Sequence, residues 1–417
     1  MADEVRLGLI GCGRIMPAHL RAMKRLREAG YDRFRVTALM ARNIDDALRF
    51  RRRGEGPPPR PPASANPDDP LGAEHHYVSD VHGGDVEVYD DLEEMLVQAP
   101  IDAVEVFTTH STHHEIAIRA LQAGKHVAVE KPMAITCRAA RRMIEAAESA
   151  GRTLMVLENH RFWPHVRAAA WAAQSGLLGT VQMLVSMSIA TREWSPDVIL
   201  GHTPWRHDRL AGGGCATDFG PHLFDWARVV GGEVETVSAV TRCLEPIRRE
   251  YDDAGNVTRE IDADADDTFF AHLQFASSAV GSLGFSAAGH GDPIALPGGR
   301  AVYGSRGCLQ QGEAILDDGT RAPLEALYFD RADPAEVEAR FPLGLRDAFA
   351  LETHQFIESI LSGEQPELSG EEGLRDLAAA FAVHESALAG CEVHVDDVAS
   401  GKVSAYQDEL DARWGIG

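Results

Sequence analysis

Over the first 157 residues, short apolar runs alternate with stretches of helical period. Val5 to Ile10, Phe34 to Met40, Val86 to Tyr89, Ala103 to Phe107, Val127 to Val129 and Thr153 to Leu157 read as strands. Between them, helical patterns cover about Pro17 to Ala29, Asp91 to Ala99, Glu115 to Ala123 and Ala134 to Ala150. Such alternation predicts an α/β fold, a parallel and doubly wound sheet of the Rossmann kind. Ligands of these sheets sit beyond the carboxyl ends of the strands.

From Thr180 the period changes. Val181–Ala190, Val234–Leu244, Thr268–Phe275, Ala279–Ala287 and Arg300–Tyr303 are long and sequential, as an open, largely antiparallel sheet requires. Two later amphipathic stretches, Ala348 to Leu361 and Gly370 to Ala389, are expected to pack over one face of that sheet. The expected division is a dinucleotide-binding domain over 1–157 and an α+β substrate-binding and oligomerisation domain over 158–417. Residues 51–85 interrupt the first domain: Arg51-Arg52-Arg53-Gly54 leads into Pro57-Pro58-Pro59-Arg60-Pro61-Pro62. That many prolines cannot continue a helix or enter a central strand, which leaves an extended insert. An oligomer arm, a lid near a cofactor and a plain surface insertion all remain open for it.

Composition narrows the function classes. In a chain of 417 residues, a net charge of −24 speaks against nucleic acid, where a basic face is the expected footprint. Its six cysteines are scattered with no CxxC spacing, as expected of reduced thiols in a cytoplasmic protein, and they offer no zinc site. No apolar run reaches the length of a membrane span, and a chain that runs directly into its first strand is expected to carry no signal peptide.

Candidate chemistry gathers just past the strand ends. Gly11-Cys12-Gly13-Arg14-Ile15-Met16 stands between a strand and a helix, the context of a dinucleotide turn. Gly11 permits the tight turn, and Gly13 lets the backbone, with Arg14 and Ile15, approach a pyrophosphate. Met16 occupies the place of the third glycine. After the second strand there is no acid at Ala41 and an arginine at Arg42, which favours NADP over NAD. Thr108 follows the fourth strand, and His110 or His113 is expected to line the nicotinamide side. His110 and His114 have a metal-like helical spacing, but no third ligand stands nearby in sequence, so no metal is expected. Glu130 and Lys131 end the next strand, with Pro132 fixing the lysine's direction. Further on, Asp218 reads as a helix cap, and Asp218, His222 and Asp225 recur on one helical face. A histidine beside a carboxylate suits acid–base work, while a cap and a satisfied core histidine explain the same residues.

Taken in order, Gly11-Cys12-Gly13, Glu130-Lys131-Pro132, Arg161-Phe162, Trp205-Arg206 and the Gly212-Gly213-Gly214…Asp218…His222…Asp225 run resemble the glucose–fructose oxidoreductase / inositol dehydrogenase family (Gfo/Idh/MocA). The likeness covers nearly the whole chain. It implies an NAD(P)-dependent oxidoreductase moving a hydride between the nicotinamide and a hydroxyl or keto carbon of a sugar, sugar derivative or cyclitol. Lys131, Asp218 and His222 fall on the catalytic positions, with Arg161, Trp205, Arg206 and His222 toward the substrate. The resemblance also implies a homodimer or homotetramer assembled through the open sheet. Thr108-Thr109-His110 departs from the family's threonine–proline–asparagine loop, and the 51–85 insert is not a general family feature. Two other readings use the same lysine and histidine or the same fold: a redox-assisted glycosidase or lyase with tightly bound nicotinamide, and a non-catalytic nucleotide-sensing regulator.

Overall fold

The computed structural model describes residues 4–64, 69–189, 203–252, 254–290 and 294–417. Contacts divide the chain into two compact units: Met1–Ile135 with Ala139–Phe162 and Phe341–Gly373, and Thr136–Arg138 with Trp163–Arg340 and Leu374–Gly417.

The first unit is built on six strands: β1 (Val5–Ile10), β2 (Phe34–Met40), β3 (Glu87–Tyr89), β4 (Ala103–Val106), β5 (His126–Glu130) and β6 (Leu154–Leu157). They pair in parallel in the order β3-β2-β1-β4-β5-β6. This is the doubly wound order with its switch point between β1 and β4. Every residue of β4 and β6 is buried, as strands covered on both faces must be. Helices α1 (Met16–Glu28), α2 (Ile44–Arg51), α3 (Leu92–Gln98) and α4 (His110–Gln122) connect the first five strands.

Two features differ from the sequence reading. Helix α4 starts at His110 rather than Glu115, after Thr109 in extended conformation. The polar run 110–114 carries no apolar residue to reveal the helical period. The second difference concerns the helix Ala348–Ser362, expected over the second sheet. It belongs to the first unit, where Tyr31 donates to Glu358 at 2.7 Å, Arg33 pairs with the same carboxylate at 2.9 Å and Arg25 pairs with Asp347. Asp347 also caps this helix through the Ala350 N–H at 3.0 Å. An amphipathic period shows that a face is buried, not which partner buries it.

The second unit holds a sheet of nine strands, ordered β16-β15-β14-β13-β7-β12-β11-β8-β17. These are β7 (Val181–Ile189), β8 (Val234–Arg242), β11 (Thr268–Phe275), β12 (Val280–Ser286), β13 (Ile294–Gly304), β14 (Gly307–Gln310), β15 (Glu313–Leu316), β16 (Arg321–Pro323) and β17 (Val393–His394). The expected end of the first of these strands, Ala190, lies outside the described residues. A separate hairpin pairs β9 (Ile247–Tyr251) with β10 (Val257–Asp262). The large sheet is mixed: β7 and β12 run parallel and the other pairs antiparallel. Along β11 burial alternates, with Phe269, Ala271, Leu273 and Phe275 inside and Phe270, His272 and Gln274 outside. The Ala239 N–H of β8 donates to Ser386 Oγ at 2.9 Å and Arg228 of the helix Gly220–Gly231 donates to Asp376 at 2.5 Å, so the helix Gly370–Ala389 meets β8 through its backbone and packs beside the helix Gly220–Gly231.

Candidate cofactor and catalytic site

The glycine turn sits at the carboxyl end of β1. Gly11 has φ +96°, and a Cβ there would lie 2.8–2.9 Å from the Phe107–Thr108 backbone, so no side chain fits. A Cβ on Gly13 would meet nothing within 4 Å, so the space before it is open. Arg14 and Ile15 follow, and α1 begins at Met16 with Pro17 in its first turn. Met16 is fully buried and packs where the third glycine would otherwise allow close helix–strand contact. An open cradle at a helix N-terminus fits the pyrophosphate of a dinucleotide, whose charge the aligned amides favour. At the end of β2, Arg42 is exposed and Asn43 caps α2 through the Asp45 N–H at 3.1 Å.

Lys131 follows β5 directly, one residue beyond the pair Glu130–Leu157 that aligns β5 with β6. The Lys131–Pro132 peptide is cis. Glu130 turns back on its neighbour: Oε2 accepts the Lys131 N–H at 3.2 Å, and Oε1 lies 2.7 Å from His19 Nε2. The fully buried His19 ring stacks on Phe107 at 4.0 Å, so the carboxylate before the lysine is fixed by a rigid partner. Glu158, just past β6, is buried and accepts the His160 N–H at 3.0 Å. Burial pushes its carboxyl up, and the charges of His160 and Lys131 pull it back toward the ionised form. Lys131 therefore has an acid near it that sequence spacing does not pair with it.

Behind this edge lie two more acids. Glu105, in the centre of β4, is fully buried with both carboxyl oxygens unpartnered, and its carboxyl is pushed up to about 8 by burial first and Glu130 second. Glu352 is equally buried and raised well above the carboxylate range by burial and then by Glu130 and Glu105. His113 is buried and bridges two loops, with Nδ1 3.0 Å from the Pro132 carbonyl and Nε2 3.0 Å from the Thr108 carbonyl. A neutral ring satisfies one of those carbonyls, and burial holds the ring below the usual histidine range. His110, the first residue of α4, is also buried. Arg161 is held within the first unit by the Glu367 carbonyl at 3.0 Å and Glu372 at 3.5 Å.

In the second unit, Gly212, Gly213 and Gly214 form a turn that only glycine permits. A Cβ on Gly213 would lie 2.4 Å from the Arg206 carbonyl oxygen, and Gly214 has φ +119°. Asp266 receives the Ala216 N–H at 2.9 Å and opens the short helix Cys215–Asp218. Asp218 ends that helix rather than capping the next, Gly220–Gly231, whose flanking residue is Phe219. Phe219, between the two helices, keeps φ −95° and ψ −28°, in the helical region. The Asp218 carboxylate accepts from Arg206 Nε at 2.6 Å, and Arg206 also donates to Thr203 at 2.9 Å and lies over the Trp205 ring at 4.6 Å. Asp218, His222 and Asp225 are all buried.

Sequence reasoning missed His19, Glu105 and Glu352. Glu105 left a signal, an acid inside the apolar run Ala103-Val104-Glu105-Val106; His19 and Glu352 sit in helices where polar residues are ordinary. A cavity of about 570 Å³ opens at the opposite, amino-terminal edge of the parallel sheet, beside Arg6, Asp102, Lys125 and Arg152. Its cations are already engaged, Arg6 by Asp102 at 2.6 Å and Lys125 and Arg152 by the Ile101 and Gly124 carbonyls. It is not a candidate for the chemistry.

Comparison with known proteins identifies the family and the fold. Residues 5–158 match the model of the oxidoreductase family with an NAD-binding Rossmann fold, and residues 166–310 match the Gfo/Idh/MocA C-terminal domain. The chain belongs to the Gfo/Idh/MocA family. It is thus an NAD(P)-dependent oxidoreductase. Among curated members, it is 28% identical over 387 residues to myo-inositol 2-dehydrogenase of Thermotoga maritima, covering 92% of this chain and 96% of that one. It is also 28% identical over 325 residues to levoglucosan dehydrogenase of Pseudarthrobacter phenanthrenivorans, covering 72% and 81%. The solved structure of levoglucosan dehydrogenase with NADH and levoglucosan has the same fold, with TM-score 0.71 at 23% identity over 94% of this chain and 99% of that one. Among the described residues no helix of this member is long and apolar enough to cross a membrane.

Proposed function

We propose that this family member oxidises a hydroxyl carbon, or reduces the matching keto carbon, of a sugar, sugar derivative or cyclitol. The observation that carries the reading is Lys131, set at a strand's carboxyl end by the Glu130 and His19 contacts beside an open dinucleotide cradle. The named activities of the inositol and levoglucosan dehydrogenases support the substrate class.

The nicotinamide, when bound, exchanges a hydride with the carbinol carbon. In oxidation His222 accepts the hydroxyl proton, and Lys131 donates a hydrogen bond to the oxygen and stabilises its developing negative charge. In reduction His222 returns the proton. Asp218, held by Arg206 at the end of the preceding short helix, sets the charge and geometry before the helix that carries His222. Arg161, Trp205 and Arg206 shape the substrate side. Gly11, Gly13, Arg14, Ile15, Arg42, Thr108, His110, His113 and Glu130 complete the cofactor set, with NADP favoured because Ala41 supplies no acid for a ribose hydroxyl.

A homodimer or homotetramer joined through the open sheet is part of the same reading. Met183, Val240, Phe270 and Val280 are exposed, and strand pairing puts them on one face.

A panel of sugars, cyclitols and keto-sugars, followed by reduced-nicotinamide absorbance with NAD and NADP separately, tests the function. Net cofactor reduction with a polyol, or oxidation with a keto-sugar, is expected. Substrate consumption without net cofactor change defeats the dehydrogenase reading, and a strong NAD preference defeats the role given to Arg42.

A further inference from the structure

The proline-rich insert folds back across the glycine turn of its own unit. Arg60 donates from Nη1 to the Cys12 carbonyl at 3.3 Å and pairs through Nη2 with Asp46 of α2. From the turn itself, Arg14 Nη1 donates to the Pro61 carbonyl at 2.7 Å. Arg49 of α2 donates to the Pro58 carbonyl and lies 3.4 Å from Asp46. The far end is pinned as well: the Ala63 N–H donates to Leu71 at 2.9 Å, and the His75 ring stacks on Phe50 at 4.7 Å. Prolines carry no N–H, so the carbonyls of this strap are left to receive guanidiniums.

Three arginines from three segments, the turn, α2 and the insert, therefore meet at the entrance to α1. Arg14 sits below the usual arginine range, through burial first and then the charges of Arg60 and Arg49. Asp46 offsets part of this charge; gathering the rest beside a helix N-terminus is unfavourable unless a further anion joins it, because the helix end is itself positive. In a chain of net charge −24 this corner cannot be a by-product of overall basicity. Arginine's planar fork is suited to phosphate oxygens, and Gly13 leaves open space in the same turn.

We propose that Arg60 of the insert, together with Arg14, binds a phosphate of the dinucleotide, so that the strap is a working wall of the cofactor site. Asp46 holds Arg60 while no phosphate is present and competes with it for the guanidinium. The inference rests on the glycine turn binding a dinucleotide.

The test is the dissociation constants of NADH and NADPH, measured separately by fluorescence on the full-length chain, with no turnover required. Arg60→Ala is expected to weaken at least one cofactor about tenfold, the scale of one charge-assisted contact. Weakening of NADPH alone places the ribose phosphate there; equal weakening of both places the pyrophosphate there. Asp46→Asn, which frees Arg60 from its competitor, is expected to tighten the affected cofactor about threefold. Both constants staying within about twofold of wild type in Arg60→Ala would show the strap to be a structural staple and overturn the proposal. If Arg60→Ala does not fold, unchanged or weakened binding in Asp46→Asn overturns it instead. Wild-type protein that binds neither cofactor defeats the underlying dinucleotide reading, which is a different failure.

Discussion

The two sheets place polar chemistry in different ways. The parallel sheet is covered on both faces, so a charged residue within a strand has nowhere to go: Glu105 lies buried in β4 with no partner for either oxygen. Useful charge is driven to the carboxyl edge, where Lys131, Glu130 and Glu158 stand at the ends of adjacent strands. The mixed sheet has an exposed face, and its strand β11 alternates between core and surface. Its candidate residues stand on two successive helices after a glycine turn, Asp218 at the end of the first, held by Arg206, and His222 on the second. In the first unit the sheet itself sets the site; in the second the sheet is a platform and the packed helices carry the groups. The lesson is that burial on both faces fixes where reactive groups can appear, while burial on one face leaves that to loops and helices.

The largest effect is expected where the parallel sheet ends. Lys131→Met should lower kcat by about a thousandfold or more, the scale of losing charge stabilisation at the reacting oxygen, with cofactor affinity little changed. Steady-state rates beside cofactor titrations check it, and a variant keeping near wild-type kcat removes Lys131 from the chemistry. Asp218→Asn addresses the other region. Loss of the charge facing Arg206 should lower kcat/KM by about ten- to a hundredfold. A fall in kcat shows that the helix contributes to the transition state. A rise in KM alone shows that the second unit supplies only the binding surface.

The same contrast governs what the sequence makes legible. The six parallel strands, their order of appearance and the edge residues Gly11, Arg42, Thr108 and Lys131 follow from apolar runs that end abruptly, because strands buried on both faces leave an unambiguous pattern. The second sheet is visible in outline, but the small strands β14 to β16 and the hairpin β9–β10 are too short or too polar to stand out. Pairings distant in sequence are invisible to local pattern. Nothing near Glu130 announces His19, and nothing near Tyr31 announces Glu358, yet their separations are 111 and 327 residues. For Asp218 the motif located the residue, while its partner, Arg206, became evident only from the fold.

A smaller effect is expected from the trapped acid of the first sheet. With its carboxyl at about 8, native Glu105 keeps a proton that the unfolded chain releases near the ordinary glutamate value of about 4.3. Stability from this group is therefore fully present below that value, falls as pH rises between the two, and changes no further above about 8. Glu105→Gln should flatten the decline in melting temperature between about pH 5 and pH 8, an effect on the order of a few kcal/mol at most. Identical pH profiles for the two proteins would show that Glu105 ionises freely in the folded state.

The smallest effect on folding, and an informative one for the second sheet, is expected from its open face. Phe270 and Val240 are directly paired across β11 and β8, and both are exposed, at 38% and 52%. Lysines at both positions leave the buried face untouched and place like charges opposite one another, which weakens the strand pair by up to about 1 kcal/mol. If this face joins copies of the chain, the double variant should sediment as a smaller species than wild type while its melting curve shifts by only a few degrees, at roughly 2–4 °C per kcal/mol for a domain of this size. An unchanged sedimentation coefficient in a wild-type oligomer would move the interface elsewhere. The open sheet would then be a solvated surface, and its exposed aliphatic and aromatic side chains would need another explanation than self-association.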